Sequence, residues 1–477
     1  MDTPPTLRQE LWTTLFLAFP IMAGQVGQML MGLADAVMVG RVGTIPLAAC
    51  ALANTLISTL MVFGIGLLTA VSIQVSHAHG ARSPGDAAQS LRHGLFMALV
   101  LGCGTGLLLM AATPLLHHLG QDPAVVREMG PFLVTVGWSL VFFLMGTVLK
   151  NYSEAQSSPW PAFWITLGGV VLNVVLNVLL IFGYGGFPAL GLLGAGIATL
   201  IARIAIFLAL LVYVLRSPQF QTALPERWTG PFHGAVFREQ FHLGLPVAYH
   251  LVLEVGAFGV ACLVMGWFGA TALAAHQVAI SCAATTFMVP LGLAMATTVR
   301  IGQAIGGGRA SRVRRIGLTS FGLALAIMGA SALMFLFGRN FIAGSFLRDP
   351  STASLAAQLL VVAGLFQLFD GIQVVGTGAL RGLKDVRVPA WIAFTAYWIV
   401  ALPLGWALAF PGRFGPAGVW WGLALGLAVA ALGLVVRFWD RTKPGKLPTD
   451  SLPSSGAAGN ISNPIRRGRG EMADAQA

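Results

Sequence analysis

The sequence predicts an all-α integral membrane protein with twelve transmembrane helices in two six-helix lobes, related by a pseudo-two-fold axis along the membrane normal. Three observations lead to this prediction: the composition, the spacing of the apolar stretches and an internal repeat. Of the 477 residues, 56% are hydrophobic and only 9% are charged. A soluble protein carries about 25% charged residues, so most of this surface must face lipid. The alternating pattern of barrel strands is missing, which leaves helices as the spanning elements.

Twelve apolar stretches are long enough to be these helices. At about 1.5 Å of rise per residue, a stretch of about 20 residues crosses a hydrocarbon layer of about 30 Å. The predicted spans are Leu11–Val39, Leu47–Val75, Leu95–Leu116, Phe132–Leu149, Trp160–Phe182, Leu190–Leu215, Leu243–Phe268, Thr271–Val299, Gly317–Gly338, Ser354–Leu380, Val388–Phe410 and Phe414–Val436. The first stretch is too long for a signal-peptide core and lacks a basic leader and a cleavage site, so we count it as a span.

Lysine and arginine are distributed unequally between the two sides of the predicted bundle. When the loops are assigned alternately, 22 of the 28 basic residues fall on the side of the N-terminus, five on the other side, and Arg203 inside a span. The positive-inside rule therefore predicts cytoplasmic termini, and an even number of spans agrees with twelve. This placement accounts for the net charge of +11 without a nucleic-acid partner.

The chain repeats itself. A shift of 226 residues places Pro20 on Pro246 and Gly66 on Gly292, and a shift of 224 places Gly191 on Gly415. Each half contains six spans, so both halves enter the membrane in the same direction. Halves of this kind usually enclose a cavity, and rocking of one against the other gives alternating access.

These patterns divide the chain into five segments. We predict a cytoplasmic N-terminus (1–10), an N-lobe (11–216), a cytoplasmic linker (217–240), a C-lobe (241–438) and a disordered cytoplasmic tail (439–477). The tail is assigned from its polar, proline- and serine-rich composition. The four cysteines show no metal or redox spacing and are predicted to be small buried residues.

Four ionisable side chains interrupt the apolar spans: Asp35, Arg203, Glu254 and Asp370. A charge at the centre of a bilayer costs about 2.5–3.5 kcal/mol on insertion scales, so such residues usually mark an ion or substrate pathway. The chain is therefore predicted to be a transporter. It contains no phosphate-binding loop, HExxH motif or Ser/His/Asp grouping, so we expect neither an enzyme nor a cofactor.

Proline gives the first helix of each lobe a place to bend. Pro20 lies fifteen residues before Asp35, and its missing N–H leaves the carbonyl of Phe16 without its usual partner. Pro246 is its repeat-related counterpart. We predict both prolines to be bending points.

Polar side chains in the N-lobe accompany Asp35. Asn173 and Asn177 share one helical face. Their amides could bind a cation or a protonated carboxyl, or could only hold helices together. Asp35 could exchange a proton or cation for substrate, or could form a buried ion pair with Arg203, which follows Thr199 by four residues.

The C-lobe carries the other two acids. His250 lies one turn before Glu254, and Gln367 and Gln373 flank Asp370 at three residues on either side. If both acids face one cavity, they form an anionic site suited to Na⁺ or to a cationic substrate. Two carboxylates at so short a distance from each other would also permit coupling to protons. For His250, a structural role is the expectation.

Four segments resemble the MATE (multidrug and toxic compound extrusion) transporters, specifically their bacterial NorM-type branch. They are Gly32–Gly43 (GLADAVMVGRVG), Ala274–Ile280 (AAHQVAI), Met288–Gly306 and Gln367–Pro389. The resemblance covers nearly the whole chain from about Leu11 to Val436. It implies outward efflux of cationic or amphipathic compounds, driven by inward Na⁺ or H⁺, from the bacterial inner membrane.

The resemblance also assigns residues. It implies a C-lobe cation site at Glu254 and Asp370, where Na⁺ could bind, bending at Pro20, and an N-lobe proton or cation site formed by Asp35, Asn173, Asn177 and Thr199. One position departs from the pattern. A tyrosine found near the C-lobe site in some relatives corresponds to Phe287, which removes a hydroxyl and weakens the case for Na⁺.

Two other classes of protein are alternatives to an efflux transporter. A lipid-linked precursor flippase of the same superfamily would need a more cationic central cavity, whereas Arg203 is the one embedded cation in the predicted spans, against three acids. A membrane enzyme would need paired acidic motifs at a membrane face, and the loop acids are isolated. We expect small-molecule substrates, a lipid bilayer as the environment, and a monomer.

Overall fold

The computed structural model describes residues 6–120, 122–228, 230, 232–443 and 445–447. Within this part the chain is helical and without strands, and twelve spans are long and apolar enough to cross a membrane. The helices are α1 (Leu7–Gly40), α2 (Thr44–Gly80), α3 (Pro84–Ala112), α4 (Pro123–Ala155), α5 (Pro159–Phe182), α6 (Gly191–Arg216), α7 (Gly234–Gly266), α8 (Ala270–Gly306), α9 (Ser311–Phe346), α10 (Pro350–Gly382), α11 (Arg387–Phe394), α12 (Leu402–Ala409) and α13 (Pro416–Arg441). The predicted fold class is confirmed.

Most of the helices extend beyond the predicted apolar spans at one or both ends, and several ends carry their own capping residues. The Thr6 hydroxyl and the Gln9 side chain form a capping box at the start of α1. The Asp349 carboxylate accepts a hydrogen bond from the backbone N–H of Thr352 and caps α10. Helix α7 begins at Gly234, inside the segment 217–240 predicted to be a linker. Most of the predicted tail, 439–477, lies outside the described residues.

The eleventh span is not a regular α-helix. Between α11 and α12, residues Thr395–Ala401 form a π-helical turn. Pro403 follows it and cannot donate a backbone hydrogen bond, which favours a local change of the hydrogen-bonding pattern. The sequence pattern of the predicted span Val388–Phe410 did not reveal this turn.

The pseudo-two-fold axis is visible in matched contacts between the lobes. Gly66 of α2 packs against Ala248 of α7, and Gly292 of α8 packs against Met22 of α1. The second pair is the first pair shifted by 226 residues in each partner. The same shift relates the contact of Gly80 with Gln303 to that of Gly306 with His77. At these points a side chain in place of glycine would collide with the facing helix, so glycine is what allows the lobes to approach.

These contacts run from the middle of the bundle to one of its ends. We call this end the terminal face, because α1 begins and α13 ends there. Toward the opposite end, a side chain added at Gly27, Gly32, Gly259 or Gly266 would meet no atom within 4 Å. The lobes are therefore joined near the terminal face and diverge toward the opposite face.

Candidate functional site

In the N-lobe, four predicted residues form a chain of hydrogen bonds that ends at a carboxylate. Asn177 Nδ2 lies 2.5 Å from Asp35 Oδ1 and 3.1 Å from Asn173 Oδ1. Asn173 Nδ2 lies 3.5 Å from Thr199 Oγ1. The two asparagines are fully buried and Asp35 is half-buried. The spacing of Asn173 and Asn177 along α5 places both amides on the face toward α1 and α6, as the helical periodicity predicted.

Asp35 lines a cavity of about 320 Å³. Its walls come from the N-lobe alone, whereas the sequence predicted a cavity between the two lobes. Thr199 and Arg203 also line it, together with apolar side chains such as Phe132 and Ile206. A mainly apolar wall with a few polar groups is typical of sites for small organic molecules.

The structure gives Arg203 partners other than Asp35. Its Nη1 donates to Ser139 Oγ at 2.7 Å, and its guanidinium lies 4.9 Å from the centroid of the Phe143 ring. Among the described residues, no nitrogen of Arg203 lies within 4.0 Å of an Asp35 oxygen, although the two charges interact at longer range. The open alternative of a direct ion pair between them is thus not seen.

Lys150 was missed by the sequence analysis, which placed it in a loop. It is buried at the end of α4 and lines the same cavity. Its Nζ lies 3.2 Å from Gln25 Oε1 and 3.8 Å from Glu154 Oε1. The spacing of Lys150 and Glu154, four residues apart on a helix, was the available signal for an embedded pair. The cavity wall therefore carries two cations beside one acid.

In the C-lobe, both carboxylate oxygens of Glu254 have a polar neighbour. The hydroxyl of Tyr397 donates to Oε1 at 2.9 Å, and His250 Nε2 lies 3.6 Å from Oε2. Gln373 Nε2 lies 3.3 Å from His250 Nε2. The side chains of these four residues are all at least nine-tenths buried. A phenolic hydroxyl is therefore present at the C-lobe acids although position 287 is phenylalanine, because Tyr397 brings one to Glu254.

Asp370 lies in this region with unpaired oxygen atoms around it. It is 2% exposed, and its charge interacts with that of Glu254. Asp370 Oδ1, Gln367 Oε1 and Gln373 Oε1 are buried without a hydrogen-bond partner. Buried polar atoms are rarely unpaired in proteins, and oxygen acceptors are the ligands that Na⁺ or a proton would require. Within the described residues, no group of three or more His, Cys, Asp or Glu side chains forms a metal centre.

The two predicted bending prolines lie inside continuous helices. α1 runs from Leu7 to Gly40 through Pro20, and α7 runs from Gly234 to Gly266 through Pro246. Both helices contribute to the contact between the lobes. Each proline lies within two residues of a contact between the lobes, that of Met22 in α1 and that of Ala248 in α7, and the acid follows further along the same helix.

The comparison with known families agrees with this geometry. The family model described as MatE matches residues 20–179 and 246–407. The chain belongs to the MatE family. The two matched segments begin at Pro20 and Pro246, so the family model itself follows the internal repeat.

Curated relatives of this MatE transporter are of the NorM type. A probable multidrug resistance protein NorM of Rhodopseudomonas palustris is 40% identical over 440 residues, which cover 91% of this chain and 93% of that protein. A protein of the same description from Pseudomonas aeruginosa is 38% identical over 438 residues, covering 91% and 90%. The family, these relatives and the twelve apolar helices show that the chain is a multi-pass bacterial membrane transporter and not an enzyme.

Solved MATE structures share the fold. The outward-facing conformation of a multidrug resistance MATE family transporter superposes with a TM-score of 0.84 at 20% identity, over 91% of this chain and 96% of that chain. The eukaryotic MATE transporter AtDTX14 gives 0.82 at 21% identity, over 92% and 99%. At this identity the likeness concerns the fold alone.

Proposed function

We propose that the chain exports cationic or amphipathic organic compounds across the bacterial inner membrane in exchange for inward H⁺ or Na⁺. The observation that carries this proposal is the position of Asp35. It stands on the wall of an organic-sized cavity and at the end of a buried chain of neutral hydrogen-bond donors. A carboxylate in such a position can bind either the coupling ion or a cationic substrate. The relatives named as multidrug resistance proteins support the substrate class.

The chemistry of Asp35 explains how an ion could act on the helices. An ionised carboxylate accepts hydrogen bonds only, whereas a protonated one also donates. Hydrogen bonds to charged groups contribute about 1.5–3 kcal/mol and those between neutral groups about 0.5–1.5 kcal/mol. Uptake of a proton or cation by Asp35 therefore changes the strength of the hydrogen bond between Asn177 on α5 and Asp35 on α1. Pro20 gives α1 a position at which to bend in response.

The C-lobe offers a second place for the coupling ion. Glu254 and Asp370 supply carboxylate oxygens there, and the unpaired oxygens of Gln367 and Gln373 add neutral ligands. These residues fit Na⁺ or a proton shared between carboxylates. One ion site in each lobe would couple both lobes to the ion gradient.

The contacts between the lobes define the proposed transport state. The positive-inside rule assigns the terminal face to the cytoplasm, with both chain termini on that side. The lobes are joined at this face and diverge at the other, which supports the proposal that this is the outward-facing state. Alternating access requires the glycine contacts near the terminal face to part while the opposite ends of the lobes close. One chain contains both lobes, so we propose that it works as a monomer.

One observation favours a second candidate. Lys150 and Arg203 give the cavity two cations, where the sequence analysis counted one. A lipid-linked precursor with an anionic head group would use such cations. The flippase is therefore kept as an alternative, and the experiment below separates the two functions.

The test is transport by the purified protein in liposomes. A fluorescent organic cation is loaded, and a Na⁺ gradient at equal pH or a pH gradient without Na⁺ is imposed in separate runs. Efflux that follows either gradient supports the antiporter and identifies its ion. If the cation does not move under either gradient, the antiporter is overturned. Translocation of a fluorescent lipid-linked anion by the same vesicles would then support the flippase.

A further inference from the structure

The π-helical turn of the eleventh span reaches across to the acid of the C-lobe. Two consecutive residues of this turn donate to two consecutive residues of α7. Tyr397 donates its hydroxyl to Glu254 Oε1 at 2.9 Å, and Trp398 Nε1 donates to the backbone carbonyl of Leu253 at 3.1 Å. π-turns are rare and often occur at functional positions. Here the turn forms two side-chain hydrogen bonds to the part of α7 that carries the acid.

The hydroxyl of Tyr397 is held in a fixed place. The residue is fully buried, and its ring packs against Phe258 with a centroid distance of 6.1 Å. Phe258 in turn lies against Phe366. A ring enclosed in this way cannot turn its hydroxyl away from Glu254 without disturbing two neighbouring helices.

The same arrangement occurs in the other lobe with different residues. In the N-lobe, the fifth helix (α5) donates from Asn177 to an acid on the first helix, Asp35 of α1. In the C-lobe, the fifth span donates from Tyr397 to an acid on its first helix, Glu254 of α7. The acids themselves are not repeat-related, because Asp35 aligns with Ala261 and Glu254 with Gln28. In both lobes a side chain of the fifth span thus donates a hydrogen bond to an acid on the first helix. The donor is an asparagine in the N-lobe and a tyrosine in the C-lobe.

We propose that Tyr397 is a positioning residue for Glu254, and that the π-helical turn holds it there. Its hydroxyl fixes the orientation of the carboxylate, and with it the place at which the C-lobe would hold its coupling ion. This inference rests on the proposed function for its role in transport. The other titratable or charged groups near Glu254 are His250, Asp370 and Arg381, and none of them replaces a neutral donor on Oε1.

The first test is Tyr397→Phe, which removes one oxygen and keeps the ring. Without the donor the carboxylate is no longer held in one orientation, so the apparent affinity of transport for its coupling ion should fall about tenfold. The matched control is Tyr152→Phe. That hydroxyl is also fully buried, but it donates to the backbone carbonyl of Ala223 at 2.7 Å. The control should leave the apparent affinity for the coupling ion where it is in the parent protein.

A double variant separates positioning from a general effect on structure. In the background of Glu254→Gln, adding Tyr397→Phe should cause no further change in the apparent affinity for the coupling ion. An equal shift in both backgrounds would mean that Tyr397 does not act through Glu254, and the proposal would be overturned.

Infrared spectroscopy of the purified protein keeps the test independent of transport. The carbonyl band of the protonated carboxyl that disappears in Glu254→Gln is assigned to Glu254. In Tyr397→Phe this band should shift in frequency, because the carboxyl loses a hydrogen bond, even if no ion gradient drives export. An unchanged band would overturn the positioning role, whereas a shifted band without coupled transport would overturn only the proposed function. If Tyr397→Phe does not fold, Trp398→Phe removes the other hydrogen bond of the turn and should move the same band.

Discussion

Glu10 of α1 and Arg300 of α8 form an ion pair between the two lobes, 290 residues apart in the chain. Glu10 is fully buried, and its other oxygen is 2.8 Å from Nη2 of Arg312. Arg300 also donates to the hydroxyl of Thr14 and, at 2.9 Å, to the backbone carbonyl of Glu10. The pair lies at the terminal face, where the lobes are joined. It is therefore a candidate lock for the state in which that face is closed.

Glu10→Gln should weaken this closed state. Removing one partner of a buried ion pair costs about 3–5 kcal/mol, because the other charge is left unpaired. The population should shift toward a state that is open at the terminal face. The measurement is the labelling rate of a cysteine introduced at Ser76, which is buried beneath Gly302, in a chain whose four native cysteines are replaced.

The control for this prediction is Glu239→Gln. Glu239 pairs with Lys384 at 2.7 Å, but both side chains are well exposed. Exposed pairs contribute about 0–1 kcal/mol, so the labelling rate should stay close to that of the parent protein. Equal labelling in the Glu10 and Glu239 variants would contradict the lock.

Gly244→Ala should act on the same closure by a steric route. A Cβ at this position would collide with the backbone carbonyl of Leu67 on α2. We expect export to fall at least tenfold while the protein still inserts in the membrane. Gly259→Ala is the control on the same helix, since no atom lies within 4 Å of its added Cβ. That substitution should be neutral or stabilise by about 0.5–1 kcal/mol, as alanine does relative to glycine in helices. Similar transport rates for the two variants would argue against glycine-dependent closure.

Asp35→Asn should abolish export and leave expression unchanged. The variant cannot carry the charge that the coupling ion neutralises, but an amide of similar shape can still meet Asn177. Uptake of a fluorescent cation into inverted vesicles measures the effect. A variant that transports at the parent rate would remove Asp35 from the mechanism.

Glu254→Gln and Asp370→Asn should each weaken cation binding. The two acids share one buried region of the C-lobe, so loss of either charge lowers the affinity of the same site. Titration calorimetry with Na⁺ and with an organic cation measures both variants. If one substitution lowers affinity and the other leaves it unchanged, the shared site is wrong.

The sequence predicted part of the site correctly where helical periodicity determines the direction in which side chains point. Asn173 and Asn177 are four residues apart, and a polar face in lipid must turn inward, so their convergence was predictable. The 226-residue repeat aligned Gly66 with Gly292, and the structure places both in matched contacts because the two lobes share one packing pattern.

Other features depend on contacts that no local pattern contains. The partner of Glu10 lies 290 residues away, and Glu10 itself was assigned to a cytoplasmic segment outside the spans. Lys150 reaches the cavity because the end of α4 turns that face inward, whereas counting charges placed it in a loop. The role of Tyr397 depends on a π-turn, which shifts the direction of every side chain after it.

The central claim is the exchange of an organic cation for an ion, and it can be measured in reverse. Liposomes containing the protein and a trapped pH indicator receive a gradient of organic cation, with no initial gradient of H⁺ or Na⁺. Proton movement opposite to the cation, or ²²Na⁺ movement in a parallel run, is the result we predict, and Asp35→Asn should abolish it. Passage of the organic cation without counter-movement of either ion would contradict the exchange mechanism.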